Sequence, residues 1–449
     1  MPRFVAVRSF SFAATAGPVS AGYLLAAPEV LHCPAVERPP IMPMVQTVQQ
    51  GRSRWGMPVI RCGKGTLSTL AIAGLVVSAS ATGAEAHPRR VASAATPTAP
   101  SLSPNPGSYN VLQSVSAVSA TDAWAVGWYL DNGVYKTLIL HWTGTVWTQI
   151  ASPSPSSTHN ILNGVSADST TDAWAVGWDE NNGVVEALTL HWNGTAWSQV
   201  AIPNPGPYGD ALYSVSASSA TDAWAVGYHK NAFPDKTLIF HWNGTAWSKS
   251  PSPSPSSTSN YLGGVSAASA TDAWAVGWYL DNGIYKTLVL RWDGLAWSRV
   301  AAPNHSSNSA FLIGVSADLS TDAWAVGYTL NSSPHSLILR WDGTTWSRMR
   351  GRGTWSTGGS LYGVSADSPT DAWAVGEYSA THASRSLIVH WNGTAWSKVR
   401  SPSPGSDGNF LSAVSANSPT DALAVGGYAD NGSHDTLALH WDGTTWLQT

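Results

Sequence analysis

Most of the residues here that could do chemistry recur at one fixed spacing, so the question is which of them break the pattern. A histidine ahead of a tryptophan returns as His141, His191, His241, His390 and His440. Five imidazoles in register could suggest a metal ring, but Arg291 and Arg340 fill the same place in two further copies, and a guanidinium ligates no metal. No metal and no cofactor is therefore expected. Carboxylates outside the repeated positions are few: Asp179, Glu180, Glu186, Asp235, Glu377, Asp407, Asp430 and Asp435 among them. Two of these, brought together, would form an acid/base pair suited to glycan cleavage. The one arginine cluster, Arg348, Arg350 and Arg352, lies in a single short stretch and reads as a solvated charge patch. Nothing repeated is catalytic in kind, because a residue present in every copy marks no single site. The expectation is a protein that is not an enzyme.

The elements that must position these residues are set by a repeat. Asp-Ala-Trp-Ala-Val-Gly begins at Asp122, Asp172, Asp222, Asp272, Asp322 and Asp371 and returns as Asp-Ala-Leu-Ala-Val-Gly at Asp421. A period of about 50 residues is the mark of β-propeller blades. Within one copy, Val111–Ala117 and Ala123–Tyr129 read as strands parted by a polar turn, Asp131-Asn-Gly133 ends the second, and Thr137–Trp142 and Thr145–Ile150 follow. Later copies place Asn193-Gly194, Asn243-Gly244 or Asp293-Gly294 between the last two strands, where both residues of a two-residue hairpin would take positive φ. Four antiparallel strands repeated seven times predict an all-β fold, a seven-bladed β-propeller over 109–449. The link Ser152–Asn160 must cross three strand spacings, about 14 Å, and nine extended residues reach about 30 Å. Whole repeats at both ends predict closure by packing blade 7 on blade 1, without a strand borrowed from the other terminus.

Composition agrees. Charged residues are 11% of the 449, and Gly, Pro and Trp number 41, 28 and 25, against a usual charged share of about 25%. A net charge of −4 with no basic face excludes nucleic acid as the expected partner. Ahead of the repeats, residues 1–56 read as a mis-assigned or disordered extension. Residues 57–86 have the basic start, the short apolar run Leu70–Ala81 and the small residues Ala84 and Ala86 of a secretory signal peptide. The run is too short to span a bilayer, so no membrane span is expected in the mature form. Residues 87–108 read as an Ala/Pro/Ser-rich linker. Cys33 and Cys62 both precede the expected cleavage, which leaves a thiol-free, secreted chain.

The repeat resembles those of secreted bacterial propellers of the kelch and galactose-oxidase type, and its Trp-Asn-Gly-Thr-Ala-Trp hairpin is similar to the Asp-box hairpins of sialidase-like propellers. Only Gly426-Gly427 shows the kelch glycine pair, so the resemblance implies fold and not activity. Copper chemistry of the galactose-oxidase kind needs a cysteine that the mature chain lacks.

Recurring side chains have structural roles. Each Asp of the hexad should meet the His or Arg that ends the third strand, as Asp122 with His141 and Asp272 with Arg291, in a cross-strand staple. The flanking tryptophans, such as Trp174, Trp192 and Trp197, should fill the space between blades. Variation collects in the loops between second and third strands and in the links, which topology puts on one face. The residue after Ala-Val-Gly enters that face as Trp128, Trp178, Tyr228, Trp278 and Tyr328, then Glu377 and Gly427. These five aromatics could stack on sugar rings while Asp131, Asp179, Glu180 or Asp281 bond hydroxyls. The expected function is a secreted, non-enzymatic, monomeric propeller binding an extracellular glycan or protein ligand. A propeller enzyme acting on glycans and a scaffold for protein contacts are the alternatives.

Overall fold

A computed structural model describes residues 102–449 apart from 207, 231–233, 305–306, 352–357 and 381–382. The expected extension, signal peptide and most of the linker lie outside the described residues. So does Arg352. Among the described residues, no helix is long and apolar enough to cross a membrane.

The described residues form 28 strands in seven meanders of four. In blade 1 these are β1 (Tyr109–Ser119), β2 (Asp122–Asp131), β3 (Val134–Trp142) and β4 (Trp147–Gln149), each antiparallel to the one before. The first strand of every blade carries a bulge, at Gln113 between Leu112 and Ser114 in blade 1. It reaches the next blade through a repeated bond in which a serine Oγ accepts a backbone N–H. Ala167 donates to Ser116 and Ala217 to Ser166 at 3.0 Å, and the series runs on to Ala416 with Ser365. Ala117 closes it on Ser415 at 3.1 Å. This hoop explains why Val-Ser-Ala recurs and shows a seven-bladed β-propeller.

Seven apolar clusters, one per seam, fill the space between blades. Trp124 is 1% exposed, stacks on His141 at 4.4 Å and meets Trp197 of the next blade edge-on at 5.1 Å and 88°. Trp174, Trp224 and Trp373 repeat this arrangement, Trp274 and Trp324 do so with an arginine in place of the histidine, and truncating such a ring costs about 3–5 kcal/mol. The predicted staples are present in all seven blades: Asp122–His141 at 2.7 Å, Asp172–His191 at 2.6 Å, Asp222–His241 at 2.7 Å, Asp272–Arg291 at 2.9 Å, Asp322–Arg340 at 2.7 Å, Asp421–His440 at 2.7 Å, and Asp371–His390.

Two local expectations are corrected. The turn between third and fourth strands is centred one residue later than expected. Asn193 N–H meets Ala196 O, and only Gly194 has positive φ, at 87°. Asn193 instead offers its Oδ1 to the N–H groups of Thr195 and Ala196 and to the Thr195 hydroxyl, a task Asp does equally well. Asn-Gly pairs with both residues at positive φ occur between second and third strands, at Asn132-Gly133, Asn182-Gly183, Asn282-Gly283 and Asn431-Gly432. The second correction concerns where the ring begins. Its hydrogen bonding starts at Ser103, whose N–H donates to Thr449 O at 3.0 Å, so the end of the linker stretch acts as the link from blade 7 to blade 1.

Candidate functional site

The links and the hairpins between second and third strands share one face, as the strand directions require: Tyr135 N–H donates to Thr158 O, and Glu180 N–H to His159 O. The five predicted aromatics divide into two groups there. Trp128 and Trp178 belong with Val111, Ile161, Tyr109, Tyr135 and Phe410. Tyr228, Trp278 and Tyr328 belong with Tyr261, Phe311, Tyr285 and Ile313. Trp128 is stacked on Tyr109 at 5.2 Å and 8% exposed, and Trp278 is stacked on Tyr261 at 5.6 Å and 3% exposed. These two rings are packing elements and offer no face to a sugar. Trp178, Tyr228 and Tyr328 are half-buried and keep surface for a ligand.

The predicted carboxylates are scattered. Asp131 is held by Lys136 Nζ at 2.6 Å and Asn132 at 2.8 Å, and Asp281 is exposed and bonded to Asn282. Glu180 Oε2 lies 2.9 Å from His159 Nδ1. Asp179 is 3% exposed and shares the Asn181 amide with Glu186, at 3.2 and 3.0 Å. Burial first, and then the Glu186 charge, push Asp179 up to about 6. That value would suit a general acid, but so buried a carboxyl does not meet a polymer.

On the side of blades 3 to 6, tyrosines that sequence reasoning missed bond Asp235 and Glu377, two of the carboxylates it placed outside the repeat. Tyr213 stacks on Tyr228 at 5.9 Å, and Tyr228 packs on Tyr261 at 4.8 Å. Tyr261 donates its hydroxyl to Asp235 Oδ2 at 2.5 Å, and Tyr362 donates to Glu377 Oε1 at 2.8 Å. Burial pushes the Tyr328 hydroxyl up to about 12. Tyr213, Tyr261 and Tyr362 are raised further, by burial first, with Tyr228, Asp235 and Glu377 as the next causes. All four stay protonated donors at neutral pH, so the two carboxylates are acceptors fixed by phenols. The signal lay in the first strands. The bulge positions read Gln113, Asn163, Tyr213, Gly263, Ile313, Tyr362 and Ser412, so the two tyrosines stand out once the copies are aligned.

A second polar cluster lies in blade 3. Asp210 takes the place held by Asn110, Asn160, Asn260 and Asn409. It pairs across the strands with His229, which burial and then Lys249 and Lys236 lower to about 4. Asp210 is 1% and His229 6% exposed, so this cluster is also closed to substrate. Among the described residues no group of His, Asp or Glu is arranged to hold a metal ion.

No family model matches the chain, and no curated protein matches it. Solved structures with a similar arrangement include YCF48 bound to a peptide, 14% identical over 74% of this chain and 94% of that one, with a TM-score of 0.47. The Aleuria aurantia lectin in complex with Fucα1-6GlcNAc is 16% identical over 65% and 95%, with a TM-score of 0.43. An ulvan lyase of polysaccharide lyase family 25 is 10% identical over 75% and 93%, with a TM-score of 0.46. Function does not travel with a fold, so it is argued below from this chain's own side chains.

Proposed function

We propose that this chain is a secreted, non-enzymatic glycan-binding propeller, whose ligand lies on the variable face against the half-buried rings of Tyr228 and Tyr328. One observation carries the reading: non-repeated tyrosines line the blades 3 to 6 side, and Asp235 and Glu377 at its two ends are each fixed by a phenol. A sugar presents apolar C–H faces that stack on aromatic rings and hydroxyls that need oriented acceptors. Rings on rigid strands with preset acceptors supply both. The pattern of Met57–Ala86 supports a location outside the cell. Binding is favoured over glycan cleavage because Asp179, the carboxyl among the candidate site residues that is raised towards a general acid, is buried away from any polymer.

A glycan array followed by titration calorimetry tests this. Tyr228→Ala and Tyr328→Ala should each weaken binding to the selected glycan about tenfold with thermal unfolding little changed. Trp278→Ala should lower stability instead. Tyrosine variants that fold and bind like the parent would sink the reading.

A further inference from the structure

The staples of blades 2 and 6 differ from the others in what meets the second carboxylate oxygen. In the histidine blades one oxygen of the hexad Asp takes the imidazole. Four residues ahead of that Asp, blade 3 has Ser218 and blade 7 has Asn417. Each donates to the other oxygen, Ser218 Oγ to Asp222 Oδ2 at 2.5 Å and Asn417 Nδ2 to Asp421 Oδ2 at 2.8 Å. Blades 2 and 6 place Asp168 and Asp367 there instead. Asp172 Oδ2, Asp371 Oδ2 and Asp367 Oδ1 are buried and meet no donor among the described residues. Native proteins seldom leave a buried polar atom so. Yet the Asp168 and Asp172 carboxyls lie within hydrogen-bond reach of each other, and so do those of Asp367 and Asp371. Two carboxylates are acceptors alone, so this contact is a hydrogen bond only when one of them keeps a proton. Blade 5 also has an aspartate at the position, Asp318, but its staple base is Arg340, a permanent cation.

The groups around each pair leave that proton in place. Asp172 and Asp371 give their first oxygen to His191 and His390. Across the seam, Trp242 and Trp247 of blade 3 pack on Trp174, and Trp441 and Trp446 of blade 7 pack on Trp373; indoles do not titrate. On the other side, the staple bases His141 and Arg340 are bound to their own Asp122 and Asp322, and Arg340 reaches the Pro369 carbonyl of the turn. Burial first, and then the partner carboxyl, push Asp168 and Asp367 up to about 6. We propose that Asp168–Asp172 and Asp367–Asp371 are proton-sharing carboxyl pairs that act as an acid-closed lock on seams 2–3 and 6–7. With the proton, each pair completes its staple as Ser218 and Asn417 do; without it, two carboxylates oppose each other. A carboxyl whose pKa is raised by folding contributes stability that is full below its unfolded value, about 4. That contribution is lost as pH rises through the folded value, so the lock holds in mild acid and loosens towards neutrality.

The test is a set of melting curves at pH 4 and pH 7.5 for the full chain and its variants. Asp168→Asn and Asp367→Asn install the donor that blade 7 already uses. Each should melt about two degrees above the parent at pH 7.5 and like the parent at pH 4. Asn417→Asp makes the opposite change in blade 7, and should melt about two degrees below the parent at pH 7.5 only. A side chain that merely packs would shift both curves alike. Carboxyl-carbon NMR of the aspartate-labelled chain reads the protons directly. The parent should show aspartate transitions at about pH 6, and Asp168→Asn with Asp367→Asn should leave that of Asp179 alone. Melting differences that do not depend on pH overturn the proposal, as does a double variant that keeps every transition of the parent. Where an Asp168 or Asp367 variant does not fold, Asn417→Asp and the titration of the parent decide. Curves for Asn417→Asp that run parallel to the parent, or a parent with no transition beyond that of Asp179, sink it.

Discussion

The seam between blades 7 and 1 and the seam between blades 1 and 2 make the same link bond by different routes. At the first, two distant parts of the chain rebuild the link. Ser103 Oγ lies 2.8 Å from Thr436 Oγ1, Asn105 Oδ1 accepts the Thr436 N–H, and Thr449 O accepts the Ser103 N–H. Thr449 also accepts from Trp147 Nε1 at 3.2 Å, beside Leu423, which replaces the tryptophan of the other blades. At the second seam the chain is continuous, and Ser154 of the link accepts the Thr137 N–H at 3.1 Å. The link bond is thus the same whether or not the chain runs through the seam. A break in the chain must be closed by bonds alone, while a continuous link is closed by bonds and by the chain itself.

The largest effect follows from the closed seam. A chain beginning at Tyr109 keeps all 28 strands and loses the bonds to Thr436 and Thr449, leaving the buried Thr436 hydroxyl and amide unpaired. It should lose about 3–5 kcal/mol of stability in urea unfolding. Stability equal to that of a chain beginning ahead of Ser103 would show that residues 103–108 decorate the ring without joining it.

How much of this was legible beforehand depends on the range of the interaction. Blade number, strand order and the Asp–His and Asp–Arg staples follow from spacing and register, which sequence states directly. The Asn193-Gly194 turn was misread because a backbone angle and a side-chain cap favour the same dipeptide, and only the strand ends tell them apart. Exposure of the five aromatics was not legible, since it depends on the first-strand partner. Trp278 is covered by Tyr261 and Phe311, whereas Trp178 has Ile161 beside it. Tyr213 and Tyr362 sat at bulge positions, whose side chains stand outside the two-residue alternation that reading by period follows.

Two seams are also held from the opposite face, in the blades that use arginine where five use histidine. Arg340 bonds its own Asp322 and reaches the Pro369 carbonyl of blade 6 at 3.1 Å, with its guanidinium over Trp324 and, at 5.5 Å, Trp391. Arg291 does the same towards Ser320, at a longer 3.4 Å. Arg340→His should therefore cost about 1–2 kcal/mol and Arg291→His about half of that, in parallel denaturant titrations. Equal costs would mean that the shorter cross-seam bond of Arg340 adds nothing to stability.

The smallest effect is a pH dependence confined to the closed seam. His434 stacks on Tyr109 at 3.9 Å, and its backbone carbonyl accepts from Asn110. Burial lowers its imidazole from the ordinary value, against Asp435 and Asp407, which raise it. A base whose pKa is lower in the folded chain than in the unfolded one contributes stability above about 6.5 that is lost as pH falls towards the folded value. Asp168, Asp179 and Asp367, each pushed up to about 6 by burial first, act in the opposite sense. They favour the fold at acid pH and lose that contribution as pH rises through 6. The overall melting curve therefore mixes the two, and only a difference isolates the seam. His434→Phe keeps a ring on Tyr109 and removes the titration. The parent should lose more melting temperature than this variant between pH 7.5 and 5, by about one degree. Parallel melting curves for the two across that range would show that protonation of His434 leaves the seam untouched.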